Sequence, residues 1–385
     1  MNKKYILVLN AGSATLKFKI FNFSDLKLVK EGIIERIGLK GSFIAIGQKR
    51  IISKVTNHEQ AFRLLISKIK DFKNSIVLVG HRVVHGGEEF TKPTLISKKL
   101  LAKLETYNKL APLHNPVGIA CIKASQKYLP KAPDVAVFDT GFYQTLPKQA
   151  YIYAIPLKFY QKDKIRRYGF HGISHQYMAE QAALKLKKPL NKLNLITCHL
   201  GSGCSITAIK NGQAIDTSMG FTPLEGLVMS TRSGSIDPAI PLYLMRENKM
   251  SEDEVNDLLN KRSGLFGLSG SMDMREILVK AGYAVKGFKL AGKIKAKDKE
   301  IARLTLDIFI YNIKKYIGAY SAILGKVDAL VFTGGIGERS EVIRRLILKD
   351  LPRYKGVVIQ ANEEKLIAEL SKKVKGIRLV SASKI

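Results

Sequence analysis

The chain has 385 residues, 46% of them hydrophobic and 25% charged, with a mean hydropathy near zero; this describes a soluble globular protein long enough for two domains. No apolar run approaches the length of a membrane span. Lys and Arg number 64 against 32 Asp and Glu, a formal charge of +32. No basic block interleaves with aromatics and Trp is absent, so nucleic acid is not the expected partner and the surplus reads as a solvated surface that attracts small anionic substrates.

In chain order, residues 5–9 are too short for the core of a signal peptide and Asn10 interrupts them, so the N-terminus reads as mature and cytoplasmic. Residues 5–50 alternate like a strand meander with glycine turns. Apolar positions 62, 64, 65, 66 and 69 make 59–72 an amphipathic helix. A buried strand over 75–79 feeds His81, Arg82, Val84 and His85. The helical pattern over 97–110 ends where Pro112 and Pro116 force a loop, and a helix over 117–128 and a strand over 135–138 follow. A change of domain is expected after Pro147, giving domains 1–147 and 148–385. Within the second, 151–170 reads as a loop rich in Tyr and basic groups, and 174–186 as a helix. A strand hairpin over 194–209 leads to the turn signal Asn211-Gly212. A Gly- and Ser-rich loop over 222–234 comes next, Asp237-Pro238 opens a short helix, and Ser251 caps an acidic helix over 252–260. A long helix over 301–324, a strand over 329–332 and a helix over 341–348 complete the pattern. Cys121, Cys198 and Cys204 form no C-x-x-C pair and are odd in number, which fits buried thiols in a reducing compartment.

Two stretches share a device. The apolar run 195–198 meets His199, Leu200, Gly201, Ser202 and Gly203, as 5–9 meets Asn10, Ala11, Gly12 and Ser13. Glycines in such turns let backbone N–H groups approach an anion with no Cβ in the way. Two copies about half a chain apart suggest related halves facing one cleft, with phosphate as ligand. The turn from Thr333 to Glu338 suits a nucleotide or a plain structural cap; it lacks the P-loop ending and dinucleotide spacing. Arg82 and Arg232 sit among small residues, where five donors point either to an anion or to solvent. His81/His85 and His171/His175 have zinc-like i, i+4 spacing, but glycines at 80, 86, 87, 169 and 172 argue against a regular helix. Asp139, at a strand end, holds Mg²⁺ or caps a turn.

Taken together, the stretches 10–17, 80–87, 111–116, 138–147, 167–175, 199–203, 220–238, 269–275 and 332–338 resemble, in order, the signatures of the acetokinase family of actin-like ATPases. The resemblance implies an α/β fold of two duplicated RNase-H-like domains with an active-site cleft between them. It also implies reversible phosphoryl transfer from ATP to acetate, with propionate as the alternative acceptor. Mg²⁺ is the implied metal, with Mn²⁺ as substitute, and the implied state is a homodimer without nucleic-acid or membrane partners. Carried over by position, Asp139, His171 and Arg232 match the catalytic groups. Arg82 matches the carboxylate-binding arginine; Val84, Leu113, His114, Phe170 and Pro223 match the substrate pocket. Asn10 lies on the metal side. Ser13, Lys17, His199, Leu200, Gly201, Ser202, Gly203, Asp273, Met274, Arg275, Gly335, Ile336, Gly337, Glu338 and Arg339 match the nucleotide segments.

The chain departs from the family pattern at Ala14, Ser202, Gly141 and Tyr143, none of which removes a charged catalytic group. The larger departure is C-terminal. The family has an Asn-Glu-Glu whose first Glu serves the metal, followed by a helix that returns to the first domain. Here Asn362-Glu363-Glu364 follows Glu338 too closely for the intervening elements, and 376–381 looks more like the last strand. The spacing therefore predicts that the metal-side Glu and closing helix are missing, that 362–370 is an ordinary surface helix, and that Glu363→Gln is nearly silent.

Overall fold

An eight-stranded sheet forms the first of the two units into which the chain divides. The structure, a computed structural model, describes residues 3–109, 111 and 115–376. Tyr5–Gly12 (β1) is apolar and buried along almost its whole length, as a central strand covered on both faces must be. It pairs antiparallel with Thr15–Asn22 (β2), which continues through Leu28–Glu35 (β3), Phe43–Ile46 (β4) and Lys49–Ile52 (β5). On its other side β1 runs parallel to Ile76–Val83 (β6), followed by Thr94–Leu95 (β7) at the edge beside Asp134–Phe138 (β8). The helices His58–Lys68 (α1), Lys98–Thr106 (α2) and Asn115–Tyr128 (α3) cover this sheet. Asn57 and Ser97 start the first two by accepting from Gln60 N and Leu100 N. One core gathers Leu7, Leu9, Phe18, Phe62 and Leu65; another gathers Val83, Leu100, Leu104, Ile122 and Phe138.

The second unit, Thr145–Ala361, repeats the pattern on a smaller scale. Asn194–Leu200 (β9), Cys204–Lys210 (β10) and Gln213–Thr217 (β11) form the antiparallel arm, and Ala329–Thr333 (β12) and Gly356–Val358 (β13) add parallel strands beside β9. The stretch expected to be a loop over 151–170 contains short helices, Lys148–Tyr151 (α4) and Lys158–Asp163 (α5). The helices that follow are Gly172–Leu186 (α6), Ala239–Glu247 (α7), Glu252–Lys261 (α8), Gly264–Ser269 (α9), Met274–Lys280 (α10), Ala296–Leu324 (α11), Gly334–Arg339 (α12) and Glu341–Leu348 (α13). Ser251 and Glu254 form a full capping box on α8.

Glu363–Lys372 (α14) corrects the reading of the C-terminus. It is no surface helix: Leu366, Ile367 and Ala368 are buried, and α14 packs on β1, β6 and β8 of the first unit. The spacing argument failed because β13 is only three residues long and leads almost directly into α14. Gly80 permits the approach; a Cβ there would lie 2.7 Å from Ser371 Oγ and 2.9 Å from Ile367 Cγ2. The expected second domain, 148–385, thus loses its last segment to the first sheet, whose apolar face α14 covers. The strand expected over 376–381 falls, beyond Gly376, outside the described residues.

Candidate active site

In the first unit, three adjacent parallel strands bring polar residues together at their carboxyl ends, where open α/β sheets bind ligands. Asn10 comes from β1, Arg82 from β6, and Asp139 directly follows β8, its N–H donating to Val83 O at 2.9 Å. Arg82 donates through Nη1 to Asn10 Oδ1 at 3.1 Å and through Nη2 to Asp139 Oδ2 at 2.5 Å. Its Nε is buried with no partner among the described residues. Burial works to lower the Arg82 pKa, but the carboxylates of Asp139, Glu363 and Glu364 outweigh it and the net shift is upward.

α14 completes this cluster. Asn10 Nδ2 donates to Glu364 Oε1 at 3.2 Å, and Lys19 Nζ stands 3.4 Å from Glu364 Oε2 and donates to Asn362 Oδ1 at 3.0 Å. Burial raises the Glu364 pKa, yet Lys19 and the Asn10 hydrogen bond carry it below the usual value. Glu363 shifts the other way: burial pushes it up, and Glu364 and Asp139 add to that against the pull of Arg82. The carboxylates of Asp139, Glu363 and Glu364, all felt by Arg82, are hard oxygen donors of the kind a divalent cation takes singly or in pairs. Among the described residues no group of three His, Cys, Asp or Glu side chains could enclose an ion, so Mg²⁺ would rest on one or two carboxylates, nucleotide oxygens and water.

The neighbouring loop is held by residues inside the 80–87 and 111–116 stretches that were not singled out as site residues. Asn115 accepts from His85 N at 3.1 Å and donates to His85 O at 3.0 Å, fixing the segment after Arg82 and Val84. His81 stands 2.7 Å from Asp134 Oδ1, and Gly87 N donates to His85 Nδ1 at 3.0 Å; the two histidines therefore serve separate local networks. Val84 is buried, as is Phe170 in the other unit. Leu113 and His114 lie outside the described residues. Ser13 and Lys17 are exposed around the β1–β2 turn, Lys17 in register opposite Asn10.

The second unit holds the other cluster. His171 caps α6 in the left-handed region, φ 60°, a backbone state that costs a non-glycine residue energy and points to a functional demand. Its Nδ1 lies 2.9 Å from Ser205 Oγ, and its ring stacks on His199 with centroids 4.4 Å apart. His199 Nδ1 lies 2.8 Å from Ser174 Oγ. Gly203, at the β9–β10 turn, touches both expected catalytic groups of this unit: a Cβ there would lie 3.2 Å from His171 Nε2 and 3.8 Å from Arg232 Nη1. Arg232 donates through Nη1 to Pro223 O at 3.1 Å and to Met229 Sδ. No carboxylate lies within ion-pair range of it among the described residues, and burial lowers its pKa.

The loop that carries Pro223 is tied down two residues on, at Glu225. Glu225 accepts from Arg167 Nη2 at 2.6 Å and from the Tyr153 hydroxyl, while Arg167 Nη1 also donates to the carbonyls of Thr217, Ser218 and Met219. This knot fixes the loop that carries Arg232's acceptor. Sequence reading missed it, although an Arg-Arg pair at 166–167 and a lone Glu in a glycine-rich loop were available signals.

The expected nucleotide segments gather partly. Gly201, Ser202 and Gly203 turn tightly, Gly201 N donating to Gly203 O at 3.1 Å and Ser230 N to Ser202 O at 3.0 Å. Leu200 backs the turn before Gly335, Ile336 and Gly337: a Cβ on Gly334, φ 81°, would lie 2.5 Å from Leu200 O. Glu338 turns inward, its Oε1 accepting from Thr333 Oγ1, Gly334 N and Ala361 N, so it shapes the turn. Arg339 closes α12. Asp273 caps α10 and grips Arg275 with contacts of 2.6–3.1 Å; Met274 beside them is buried.

Comparison with known proteins places these clusters in a lineage. The model of the acetokinase family matches residues 5–375. The acetate kinase of Coprothermobacter proteolyticus is 46% identical over 360 residues, covering 90% of this chain and 86% of that protein. The acetate kinase of Thermotoga maritima is 46% identical over 374 residues, covering 93% and 89%. Among solved structures, Porphyromonas gingivalis acetate kinase superposes with TM-score 0.85 at 36% identity, covering 96% of this chain and 98% of that one. A propionate kinase from Francisella tularensis superposes with TM-score 0.88 at 39% identity, covering 96% and 100%.

Proposed function

The chain belongs to the acetokinase family, and from that premise we infer how its residues carry out the family's chemistry. It is a kinase of the two-domain actin-like type, a phosphotransferase with a carboxyl acceptor: ATP + acetate ⇌ ADP + acetyl phosphate. The observation that carries the mechanistic reading is Arg232, held by a carbonyl and a thioether with no carboxylate in ion-pair range among the described residues, beside the same glycine as His171.

Acetate is already ionised at neutral pH, its pKa near ~4–5 like that of Asp and Glu, so no general base is required. The catalyst must instead orient the reactants and stabilise charge. We assign Arg82 to the acetate carboxylate, with Val84, Leu113, His114, Phe170 and Pro223 around its methyl. A carboxylate oxygen bonds to the γ-phosphorus as the bond to the bridging oxygen of ADP breaks, and Arg232 and His171 meet the charge on the moving phosphoryl. The turns at 199–203, 273–275 and 335–339, with Ser13 and Lys17, hold the nucleotide. Mg²⁺ (or Mn²⁺) would be held by Asp139 and Glu363 on the side of Asn10, and would supply charge neutralisation on phosphate oxygens. Asp139 would order the metal's waters while it fixes Arg82.

A hydroxamate assay for acyl phosphate with acetate, propionate and butyrate, and ATP formation from acetyl phosphate, test this reading. Activity is expected in both directions, greatest with acetate; a folded sample inactive in both with Mg²⁺ present overturns it. The likeness to a propionate kinase supports propionate as the second acceptor. We further propose a homodimer: α7 buries none of its residues and exposes Ile240, Leu242, Tyr243 and Met245, a face a second copy would cover. A monomer in light scattering excludes it. No described helix is long and apolar enough to cross a membrane, and Cys121, Cys198 and Cys204 are buried free thiols; both support a cytoplasmic enzyme.

A further inference from the structure

The two strands of the turn beside His171 carry a buried polar strip. On β9 and β10, Thr197 faces Thr207 and His199 faces Ser205, and the side chains of Thr197, Ser205 and Thr207 are fully buried. His175, one helical turn after His171 and also fully buried, lies between them. Its Nδ1 is 2.7 Å from Thr197 Oγ1 and its Nε2 is 2.7 Å from Ser205 Oγ. Ser205 Oγ is in turn 2.9 Å from His171 Nδ1. The order is therefore Thr207 carbonyl, Thr197, His175, Ser205, His171.

A hydroxyl has one proton to give. Ser205 can donate to only one of the two ring nitrogens it touches, so at least one imidazole donates to it. The far end decides which. Thr197 Oγ1 donates to Thr207 O at 3.3 Å, which leaves its lone pairs to accept from His175 Nδ1–H. His175 Nε2 then accepts from Ser205, and Ser205 accepts from His171 Nδ1–H. This order makes four hydrogen bonds; any order in which His175 Nε2–H donates to Ser205 turns the Thr197 proton onto His175 Nδ1, gives up the bond to Thr207 O and makes three. His175 must stay neutral in either order, and burial together with the neighbouring His199 ring holds its pKa well below the ordinary value.

We propose that Thr197, His175 and Ser205 form a hydrogen-bond chain that fixes neutral His171 as the Nδ1–H tautomer, so that its catalytic proton is taken up on Nε2 and it acts on the phosphoryl group only as an imidazolium. The inference rests on the role given to His171 above. Ser205 and His175 are positioning residues; they act through His171. The neutral ring offers a lone pair on Nε2, the nitrogen beside Gly203 and Arg232, and a lone pair repels a phosphoryl oxygen. One proton from solvent on Nε2 converts that atom to a donor, and no other hydrogen bond in the chain has to reverse. Among the described residues of the second unit, the titratable and charged groups around the ring include His175 on α6, His199 stacked from β9, Cys204 beside Ser205 on β10, and Arg232. The Cys204 thiol is pushed up to about 12 by burial and stays neutral. Arg232 and His199 oppose charge on His171 until a phosphoryl anion arrives.

Long-range ¹H–¹⁵N spectra of the full-length protein with ¹⁵N-labelled histidine read the tautomers directly, and with 7 histidines the signals are assignable by single substitutions. His171 and His175 are both expected as Nδ1–H in the resting enzyme. Ser205→Ala should lower kcat about tenfold, the worth of one hydrogen bond, with KM for ATP and acetate unchanged. It should also make the alkaline fall in kcat shallower, because the released ring can carry its neutral proton on Nε2; Ser205→Thr should restore both. Thr197→Val, nearly isosteric, should shift the His171 tautomer by removing the far anchor, and serves if Ser205→Ala does not fold. A resting His171 protonated on Nε2, or variants whose tautomers and alkaline limb match the parent, overturn the proposal. A parent protein with the expected tautomers but no acetyl phosphate formation overturns the functional reading and leaves the chain standing.

Discussion

Arg82 and Arg232 are both arginines beside glycine-rich turns, and the two units treat them in opposite ways. Arg82 is compensated in charge: Asn10 and Asp139 accept from its two Nη groups, and Glu363 and Glu364 add negative charge around it, while its Nε keeps no partner among the described residues. Arg232 is held by Pro223 O and Met229 Sδ, neutral acceptors that fix its direction and leave its charge uncompensated. A guanidinium that already has its counter-charge is a positioning device, strong in geometry and weak in net field. One held without a counter-charge keeps its attraction for whatever anion arrives, and burial, which disfavours the cation, raises the value of that anion. The first suits a carboxylate substrate that must be oriented; the second suits charge that appears only as the phosphoryl moves.

The largest expected effect separates the two arginines. Arg232→Ala should lower kcat by about 10³–10⁵, the usual worth of an arginine on a transferring phosphoryl group, and leave thermal stability close to that of the parent, because no ion pair is broken. A change confined to KM would mean ground-state binding and remove the distinction. Arg82→Ala should weaken acetate binding and also destabilise the first unit, by up to about 3–5 kcal/mol, because the buried Asp139 carboxylate loses the guanidinium that compensates its charge. Equal melting temperatures for the two variants would break the comparison.

Next in size come the two glutamates of α14. Glu363→Gln, once expected to be nearly silent, should lower activity about tenfold and raise the Mg²⁺ requirement, since it removes one of few oxygen ligands. Glu364→Gln should instead cost about 1–3 kcal/mol of stability at neutral pH by loss of a charged hydrogen-bond acceptor. The pH dependence of the two has opposite sign. The folded pKa of Glu364 is lowered, so its stabilisation is present above the ordinary carboxylate pKa and lost as pH falls through the folded value; the Gln variant should show a flatter acid limb. The folded pKa of Glu363 is raised, so its contribution is fullest below the ordinary value and lost as pH rises through the folded one; Gln should relieve that loss. Urea denaturation between pH 3 and pH 8 reads both, and identical acid limbs would remove the assignment. The smallest effect belongs to Val84→Ala, which should improve propionate relative to acetate by roughly 1–3 kcal/mol, the range for one methylene in an apolar pocket. An unchanged ratio in the hydroxamate assay takes Val84 out of the pocket.

Much of this was legible in the chain because it is local. The all-apolar run of β1, the Ser251 cap with Glu254, and the glycine turn at Gly201 and Gly203 depend on neighbours a few residues away, and sequence alone determined them. Arg82 and Arg232 stood out because charged groups in small-residue loops have few structural uses; the roles of Asp139 and His171 came with the resemblance to the acetokinase family. Sequence could not decide which charges meet. The pairing of Arg82 with Asp139 spans 57 positions and that of Asn10 with Glu364 spans 354, distances over which periodicity carries no information. The fate of Asn362-Glu363-Glu364 turned on whether a three-residue strand suffices before α14, which residue counting answered wrongly. Only the tertiary structure, by laying Leu366 and Ile367 on β1 and β6 at Gly80, decided that the closing helix returns. The strip through Thr197, His175 and Ser205 was not read from the sequence, where 195–198 counted as an apolar run, and its direction depends on a carbonyl across the sheet. Sequence determined which groups can do chemistry here; packing decided which are neutralised and which keep their charge, because desolvation and ion pairing depend on what lies within a few ångströms in space.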